Sequence, residues 1–383
     1  MTSPRARIAS LPPEPPEPPV IVSRLRRVHR AASDFRRGVP VLLLGDEPLL
    51  LLAAETAGVE ALGEFTRLAT QPPVLLLAAT RAAAVLHRPV GHVSEAVALR
   101  LAPVMLEPGF LRALSDPLLD QTAAERMPEL EAAPPNANAA LTLAKLGRLL
   151  PAVLAATVAQ DIKEQMQRLQ LLSVSAAEVL TYPATASADL RRIATARVPL
   201  EDAPDAQVVA FRTEAAGIEH LAIIIGEPDK AAAPLVRLHS ECFTGDLLGS
   251  LRCDCGQQLR GAIRRMAEEG AGVLLYLAQE GRGIGLVNKL RAYALQDHGL
   301  DTLDANRALG WGADERNFLI AATMLSALGL RRIRLLTNNP DKLAALVACG
   351  VEVVGREAHA FAPNGVNDEY LATKAARFGH LLD

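Results

Sequence analysis

The sequence predicts a two-domain α/β protein, and three observations lead there. At 383 residues the chain is too long for one ordinary core and suits two or three domains of roughly 150 residues each. Its character changes near residue 189, from an Ala- and Leu-rich region whose only aromatics before Tyr182 are Phe35, Phe65 and Phe110 to one of mixed composition. Beyond that point strand-like and helix-like segments alternate, which is the pattern of an α/β domain. The expected division is an arm over 1–27, a smaller Ala/Leu-rich α/β domain over 28–188 and a larger α/β domain over 189–383.

The arm is expected because L-P-P-E-P-P-E-P-P at 11–19 favours extended polyproline geometry. V-L-L-L at 41–44 and again at 74–77, each preceded by Pro, are short enough to be buried strands. After A-A-P-P-N-A-N at 132–138, a helical stretch is expected over 141–172. Leu143, Leu146, Leu149 and Leu150 fall there at helical spacing, and Pro151 should kink or end the first part. No internal repeat is evident. In the second domain, strands are expected at 220–226, 235–239, 273–277, 333–337 and 351–354. Helices are expected at 257–269, where Leu259, Ile263 and Met266 share a face, at 286–296, at 315–328 closed by Gly329, and at 342–349 stopped by Gly350. Such alternation implies an at least partly parallel sheet. Ligands then gather at the carboxyl ends of its strands, so the loops after His239, Leu277 and Thr337 should carry the chemistry.

Composition excludes several classes. Forty Lys+Arg against 43 Asp+Glu give a formal net charge of -3, which disfavours a generic nucleic-acid binder. The richest apolar stretch, 39–54, is interrupted by Gly45, Asp46, Glu47 and Pro48, short of the ~18 to 20 residues a membrane span needs. The first residues carry Pro and charge where a signal peptide needs a continuous apolar segment. A soluble cytoplasmic protein is expected.

Three of the four cysteines cluster at 242, 253 and 255. Three thiolates plus a water make an open zinc site, in which the metal acidifies water toward a pKa of ~7. The alternative, small buried hydrophobes, suits isolated cysteines better. Cys349, in A-A-L-V-A-C-G, fits that alternative and is expected in the core. E-G-R-G-I-G-L at 280–286 follows a strand and precedes a helix. Its glycines allow backbone amides to close on phosphate, and Arg282 offers forked donors suited to a triphosphate; a structural turn is the alternative. Arg237 to Glu241 run straight into Cys242 and could face a substrate. Asp314 could cap a helix beginning at Glu315 or act in catalysis. Tyr293 shares a helical stripe with Leu286 and Leu290, as a core tyrosine would. Lys342, just inside a helix start, opposes the dipole and hints at an anion nearby.

Together these strings resemble GTP cyclohydrolase II, the family that opens the guanine ring of GTP at the first step of riboflavin synthesis. The matching strings are R-L-H-S-E-C-F-T-G-D at 237–246, S-L-R-C-D-C-G-Q-Q-L at 250–259, Q-E-G-R-G-I-G-L-V-N-K-L-R-A-Y-A-L-Q-D at 279–297, G-A-D-E-R-N-F at 312–318 and L-L-T-N-N-P-D-K at 335–342. The resemblance covers about 189–383. It implies Cys242, Cys253 and Cys255 as zinc ligands. Arg237, Leu238, His239, Ser240, Glu241, Gln258, Glu280, Gly281, Arg282, Thr302, Thr337 and Lys342 become GTP contacts. Asp314 becomes the proton acceptor and Arg316 the group acting at the α-phosphate, with Tyr293 in the same catalytic set. A guanidinium stays protonated and has no free lone pair, so charge stabilisation is the easier role for Arg316. The implied reaction uses zinc-activated hydroxide at C8, loses formate and releases diphosphate with Mg²⁺ on the phosphate oxygens. GTP is the implied partner, in a homodimer, with neither nucleic acid nor membrane.

Upstream, R-R-G-V-P-V-L-L-L-G-D-E at 36–47 and A-A-E-T-A-G-V-E-A-L at 53–62 faintly resemble the opening of 3,4-dihydroxy-2-butanone 4-phosphate synthase. After Asp46 and Glu47 the expected acidic, Mg²⁺-binding continuation is replaced by P-L-L-L-L, which implies a noncatalytic remnant or scaffold. Two other readings stand beside the enzyme: a same-fold relative that stops at a formamidopyrimidine or serves another pathway, and a GTP-binding regulator without turnover. Keeping Cys242, Cys253, Cys255, Asp314 and Arg316 together favours catalysis, since a binder needs no open metal position.

Overall fold

A computed structural model describes residues 20–90, 96–119, 127–159, 162–215 and 217–381 of the chain, which form two seven-stranded sheets among α-helices. The first sheet contains β1 (Val41–Leu44), β2 (Leu49–Ala53), β3 (Val74–Ala78), β4 (Ala96–Arg100), β5 (Glu129–Glu131), β6 (Ala152–Thr157) and β7 (Leu172–Ser175), in the order β5-β4-β3-β6-β2-β1-β7. Its pairs are antiparallel except β1 with β7. The L-L-L-L-A of β2 is buried at every position because helices cover both faces of the sheet. Leu49, Leu51 and Ala53 join a core with Phe35, Leu143 and Val179, while Leu50 and Leu52 join another with Phe65 and Leu111. This is the period of two expected of a strand buried on both sides.

Two expectations for this half need correction. The stretch 141–172 is not one helix: it holds the end of the helix Ala137–Leu146, β6, the short helix Lys163–Arg168 and the start of β7. The first helix closes at Gly147, ahead of Pro151, with Arg148 at a φ of 56°, and A-V-L-A-A-T at 152–157 is apolar on both faces, a pattern in which strand and helix look alike. The arm expected over 1–27 is already helical from Val20, since Val22, Leu25 and Val28 recur at helical spacing and are all buried. Residues 1–19 of that arm lie outside the described residues.

The second sheet contains β8 (Leu190–Arg197), β9 (Gln207–Thr213), β10 (Glu219–Gly226), β11 (Leu235–Ser240), β12 (Ala271–Leu277), β13 (Arg332–Leu336) and β14 (Glu352–Glu357), in the order β14-β13-β11-β12-β10-β9-β8. The run from β14 to β12 is parallel and the run from β12 to β8 antiparallel, so the sheet is partly parallel as the alternation implied. Helix Cys255–Glu269 packs Ala262 and Met266 on one face, and helices Leu319–Ala327 and Pro340–Ala348 pack Met324, Leu325 and Leu346 on the other.

Two expectations change here as well. The helix foreseen from 315 starts at Leu319, because Asp314 turns its carboxylate to Arg316 and does not cap. Cys349 is exposed, not a core residue. It follows a helix that buries one side only, with Leu346 inward and Val347 outward.

The halves are joined by a shared apolar cluster and by ion pairs. Leu150 is buried among Ile284, Ala292, Leu295, Leu309 and Trp311 of the second half. Arg291 donates to Glu55 at 2.9 Å and to Asp116 at 2.8 Å. Glu55, the acid of the A-A-E-T string, is thereby committed to an interdomain ion pair. Among the described residues no helix is long and apolar enough to cross a membrane.

Candidate active site

Strand alternation sets the first wall. On β11, Leu238 enters the core while Arg237 and His239, two residues apart, face a cleft of about 920 Å³ at the carboxyl end of the sheet. Arg237 is buried, donates to Gln258 Oε1 at 2.5 Å and to the Leu336 carbonyl at 3.3 Å, and is held to a pKa of about 10 by burial. Burial also lowers the pKa of His239, whose Nε2 lies 3.0 Å from the Asp246 carboxylate. Neutral and donating there, His239 leaves Nδ1 as a bare acceptor.

Asp246 organises the next turn. It accepts from Tyr276 OH at 3.0 Å and from the Cys242 amide at 3.0 Å, so the chain after β11 curls and brings Cys242 back toward Cys253 and Cys255. The ligand atoms of the three cysteines lie within 4.8 Å of one another, and the Cys242 and Cys253 sulfurs are 3.8 Å apart. Two thiolates at ~2.3 Å from a tetrahedral zinc lie about 3.8 Å apart, so this pair has the spacing the metal needs. Gly245 is required beneath them: a Cβ there would sit 2.7 Å from Cys253 Sγ and 3.0 Å from Cys242 Sγ. Hydrogen bonds from Cys253 and Cys255, with Lys289 nearby, push the Cys242 thiol well down. Its two neighbours are correspondingly pushed up.

Lys289 went unnoticed in the sequence. It donates to Cys242 Sγ at 3.0 Å, Thr244 Oγ1 at 3.0 Å and Glu280 Oε1 at 2.8 Å. Burial opposes its charge, but the Cys242 thiolate and Glu280 raise its pKa above the ordinary value. Tyr293 lies one helical turn on and lines the cleft with it, while Leu290 is exposed, so the core-tyrosine expectation fails. The helical spacing 289, 293 was the available signal.

The 280–286 loop is built differently from the expected amide cradle. Gly281 N donates to the Glu280 carboxylate, Gly283 N to the Gln279 carbonyl and Gly285 N to the Glu280 carbonyl, so all three glycine amides are used internally. Positive φ at Gly281, Gly283 and Gly285, and 61° at Arg282, gives the turn instead. Arg282 lies over the Phe378 ring, 3.6 Å from its centroid, with Nη1 buried and unpartnered. Any phosphate recognition here falls to this side chain. Glu280 is equally committed: it also accepts from the Phe243 amide at 2.6 Å.

Around the remaining wall stand Ser240, Glu241, Gln258, Thr302, Arg316 and Lys342. Burial raises the Glu241 pKa and pulls that of Lys342 well down; Lys342 Nζ meets the carbonyl of Leu238 at 2.8 Å. Asp314 takes Arg316 Nε at 2.8 Å and also Nη2, and that partner holds its carboxyl below the usual range against the effect of burial. Three expected contacts do not line the cleft: the Leu238 side chain, Asp314 and Thr337, whose hydroxyl accepts from the Asn339 amide at 3.1 Å. The helix Asp368–Phe378, unread in the sequence, adds Tyr370 and Lys374. Lys374 pairs at 2.7 Å with Asp254, which lies between two of the cysteines.

The cleft thus gathers three thiols, six Lys or Arg side chains and two glutamates. Arg237 Nε, His239 Nδ1, Ser240 Oγ and Arg282 Nη1 are buried there without partners, and buried polar atoms are seldom left so. An anionic ligand with polar edges would satisfy them.

Known proteins resemble this chain over both halves. The sequence profile described as GTP cyclohydrolase II matches residues 191–358. The GTP cyclohydrolase-2 of Azospirillum brasilense is 46% identical over 97% of this chain and 98% of its own length. That of Yersinia pestis is 52% identical over 50% of this chain and 98% of its own. Among solved structures, a two-domain 3,4-dihydroxy-2-butanone 4-phosphate synthase from A. baumannii covers 88% of this chain and 100% of its own at 18% identity, with a TM-score of 0.35, a loose superposition.

Proposed function

Since the chain belongs to the GTP cyclohydrolase II family, we propose that it catalyses zinc-dependent hydrolytic opening of the guanine imidazole ring of GTP. The products are formate, diphosphate and 2,5-diamino-6-ribosylamino-pyrimidinone 5'-phosphate, at the first step of riboflavin biosynthesis. The observation that carries the reading is that three thiols and six Lys or Arg side chains line one cleft. A purine to be hydrolysed needs the first, and its triphosphate needs the second.

In this reading Cys242, Cys253 and Cys255 hold zinc, which when bound supplies Lewis acidity and an acidified water. Lys289 keeps Cys242 ionised and fixes Glu280. Arg237, Ser240 and His239 orient the base through their free polar atoms, Gln258 holds Arg237 in place for it, and Tyr293 closes the side of the cleft beside Lys289. Arg282 and Lys342 take phosphate charge. Asp314, paired with Arg316 at the edge of the cleft, is the proton acceptor that the family pattern implies, and the planar guanidinium stabilises charge growing on the phosphate. Mg²⁺ bound with the triphosphate would supply charge neutralisation at its oxygens. Residues 189–383 form the catalytic domain and those before them a noncatalytic one, in a cytoplasmic homodimer.

The test is incubation of the purified chain with GTP, Zn²⁺ and Mg²⁺ while formate and diphosphate are measured. Equimolar release of both is expected. GTP bound but returned unchanged would leave a nucleotide-binding protein in place of an enzyme, and diphosphate without formate would mean that the reaction stops at a formamidopyrimidine.

A further inference from the structure

We infer that the first half of the chain positions the loop bearing Asp314 and Arg316, with Lys145 as the positioning residue; this rests on the reading of that loop as part of a GTP-opening site. The segment 312–317 has no regular secondary structure, so side chains must fix it. Its residues divide by parity. Asp314 and Arg316 pair with each other, and Arg316 faces the cleft. Glu315 and Asn317 turn to the first half. Glu315 Oε1 accepts from Lys145 Nζ at 2.5 Å, and Asn317 Nδ2 donates to the Pro183 carbonyl and to Ser187 Oγ, both at 2.9 Å. Two helices of the first half, Ala137–Leu146 and Ala176–Ala188, therefore grip the loop on either side of Arg316.

The grip reaches the second catalytic loop. Glu315 N donates to the Arg282 carbonyl at 3.0 Å, and a Cβ on Gly283 would meet the Glu315 carbonyl at 2.9 Å. Glu315 Oε1 also accepts from Gly312 N at 2.7 Å, so one carboxylate ties Lys145 to the start of the loop. The Lys145 and Glu315 side chains are 28% and 26% exposed, sheltered enough to hold one geometry. A misplacement of ~1 Å at a catalytic group can cost about 100-fold in rate, so a partial loosening has a measurable effect.

Trp311, the only tryptophan, adjoins Gly312 and lies 5.6 Å from Lys145 Nζ, measured to the ring centroid. Its fluorescence therefore reports on the loop without turnover. In the full-length chain, Lys145→Met is expected to lower kcat for formate release about tenfold, with KM for GTP and Tm little changed. Acrylamide should quench Trp311 at least twofold more readily in this variant. Lys145→Arg, which keeps the cation, should recover most of the rate and the protection. A wild-type kcat in K145M overturns the inference. So does a loss of rate matched by a loss of Tm, which would make Lys145 merely structural. If the wild-type chain releases no formate, the GTP reading fails, and unchanged quenching in K145M then removes the clamp as well.

Discussion

Gly245→Ala adds one methyl group to a buried position and should cost the protein its metal. The new Cβ would lie 2.7 Å from Cys253 Sγ and 3.0 Å from both Cys242 Sγ and Cys255 Cβ, where ordinary contact begins at 3.4 Å. The Cys253 sulfur must therefore retreat by about 0.7 Å, while zinc–thiolate bonds near 2.3 Å tolerate only about ±0.2 Å. Backbone movement offers little relief. Asp246, the next residue, is tied to His239, Tyr276 and the Cys242 amide, and the Gly245 carbonyl is packed against Gly256. Overpacking of this kind costs ~1 to 3 kcal/mol, too little to unfold a domain of this size. The expected result is a folded protein, by circular dichroism, that retains little zinc after dialysis against a chelator and releases formate at a few per cent of the wild-type rate. One zinc per chain and a wild-type rate in G245A would refute the reasoning.

Cys253→Ser should likewise remove most bound zinc and formate release with the fold intact, because a hydroxyl replaces thiolate poorly on this metal; full activity in zinc-free protein would refute the ligand set. Arg316→Lys keeps the charge but loses the fork that holds both oxygens of Asp314, so kcat should fall strongly and KM less. A change confined to KM would make Arg316 a ground-state binding group. His220 gives a pH dependence of stability. Buried, with Nδ1 accepting from the Ala278 amide at 3.1 Å, it has its pKa lowered from 6.5 to about 4 by burial. The unfolded chain then takes up the proton first, so this contribution is complete above pH 6.5 and is lost as pH falls toward 4, by roughly 3 kcal/mol. Urea melts across that range should show His220→Gln less sensitive to acid than wild type, and equal slopes would refute the assignment.

Five of the seven strands of the second domain, β10 to β14, the loops that follow them and the three cysteines are legible in the sequence, because each is written in a short contiguous string, whereas β8 and β9 were not read. A buried strand bounded by turn residues, or a Gly-rich segment between strand and helix, depends on neighbours a few positions away. That Arg237 and His239 share a face and Leu238 does not follows from the period of two, yet Leu238 was expected among the contacts with them until the strand's burial separated it. What depended on distant partners was not legible. Residues 152–157 read as helix because two-sided burial erases the alternation that marks a strand, and only the helices packed on each face of the sheet decide it. The expected amide cradle failed because Glu280 and Gln279 capture the three glycine amides first. Lys289, Asp246 and Lys374 looked like ordinary polar residues until folding brought them beside sulfur, histidine and Asp254. The link between Lys145 and Glu315 spans 170 positions, and nothing local marks either residue. Its physical basis is the packing of one domain on another, which only the tertiary structure supplies.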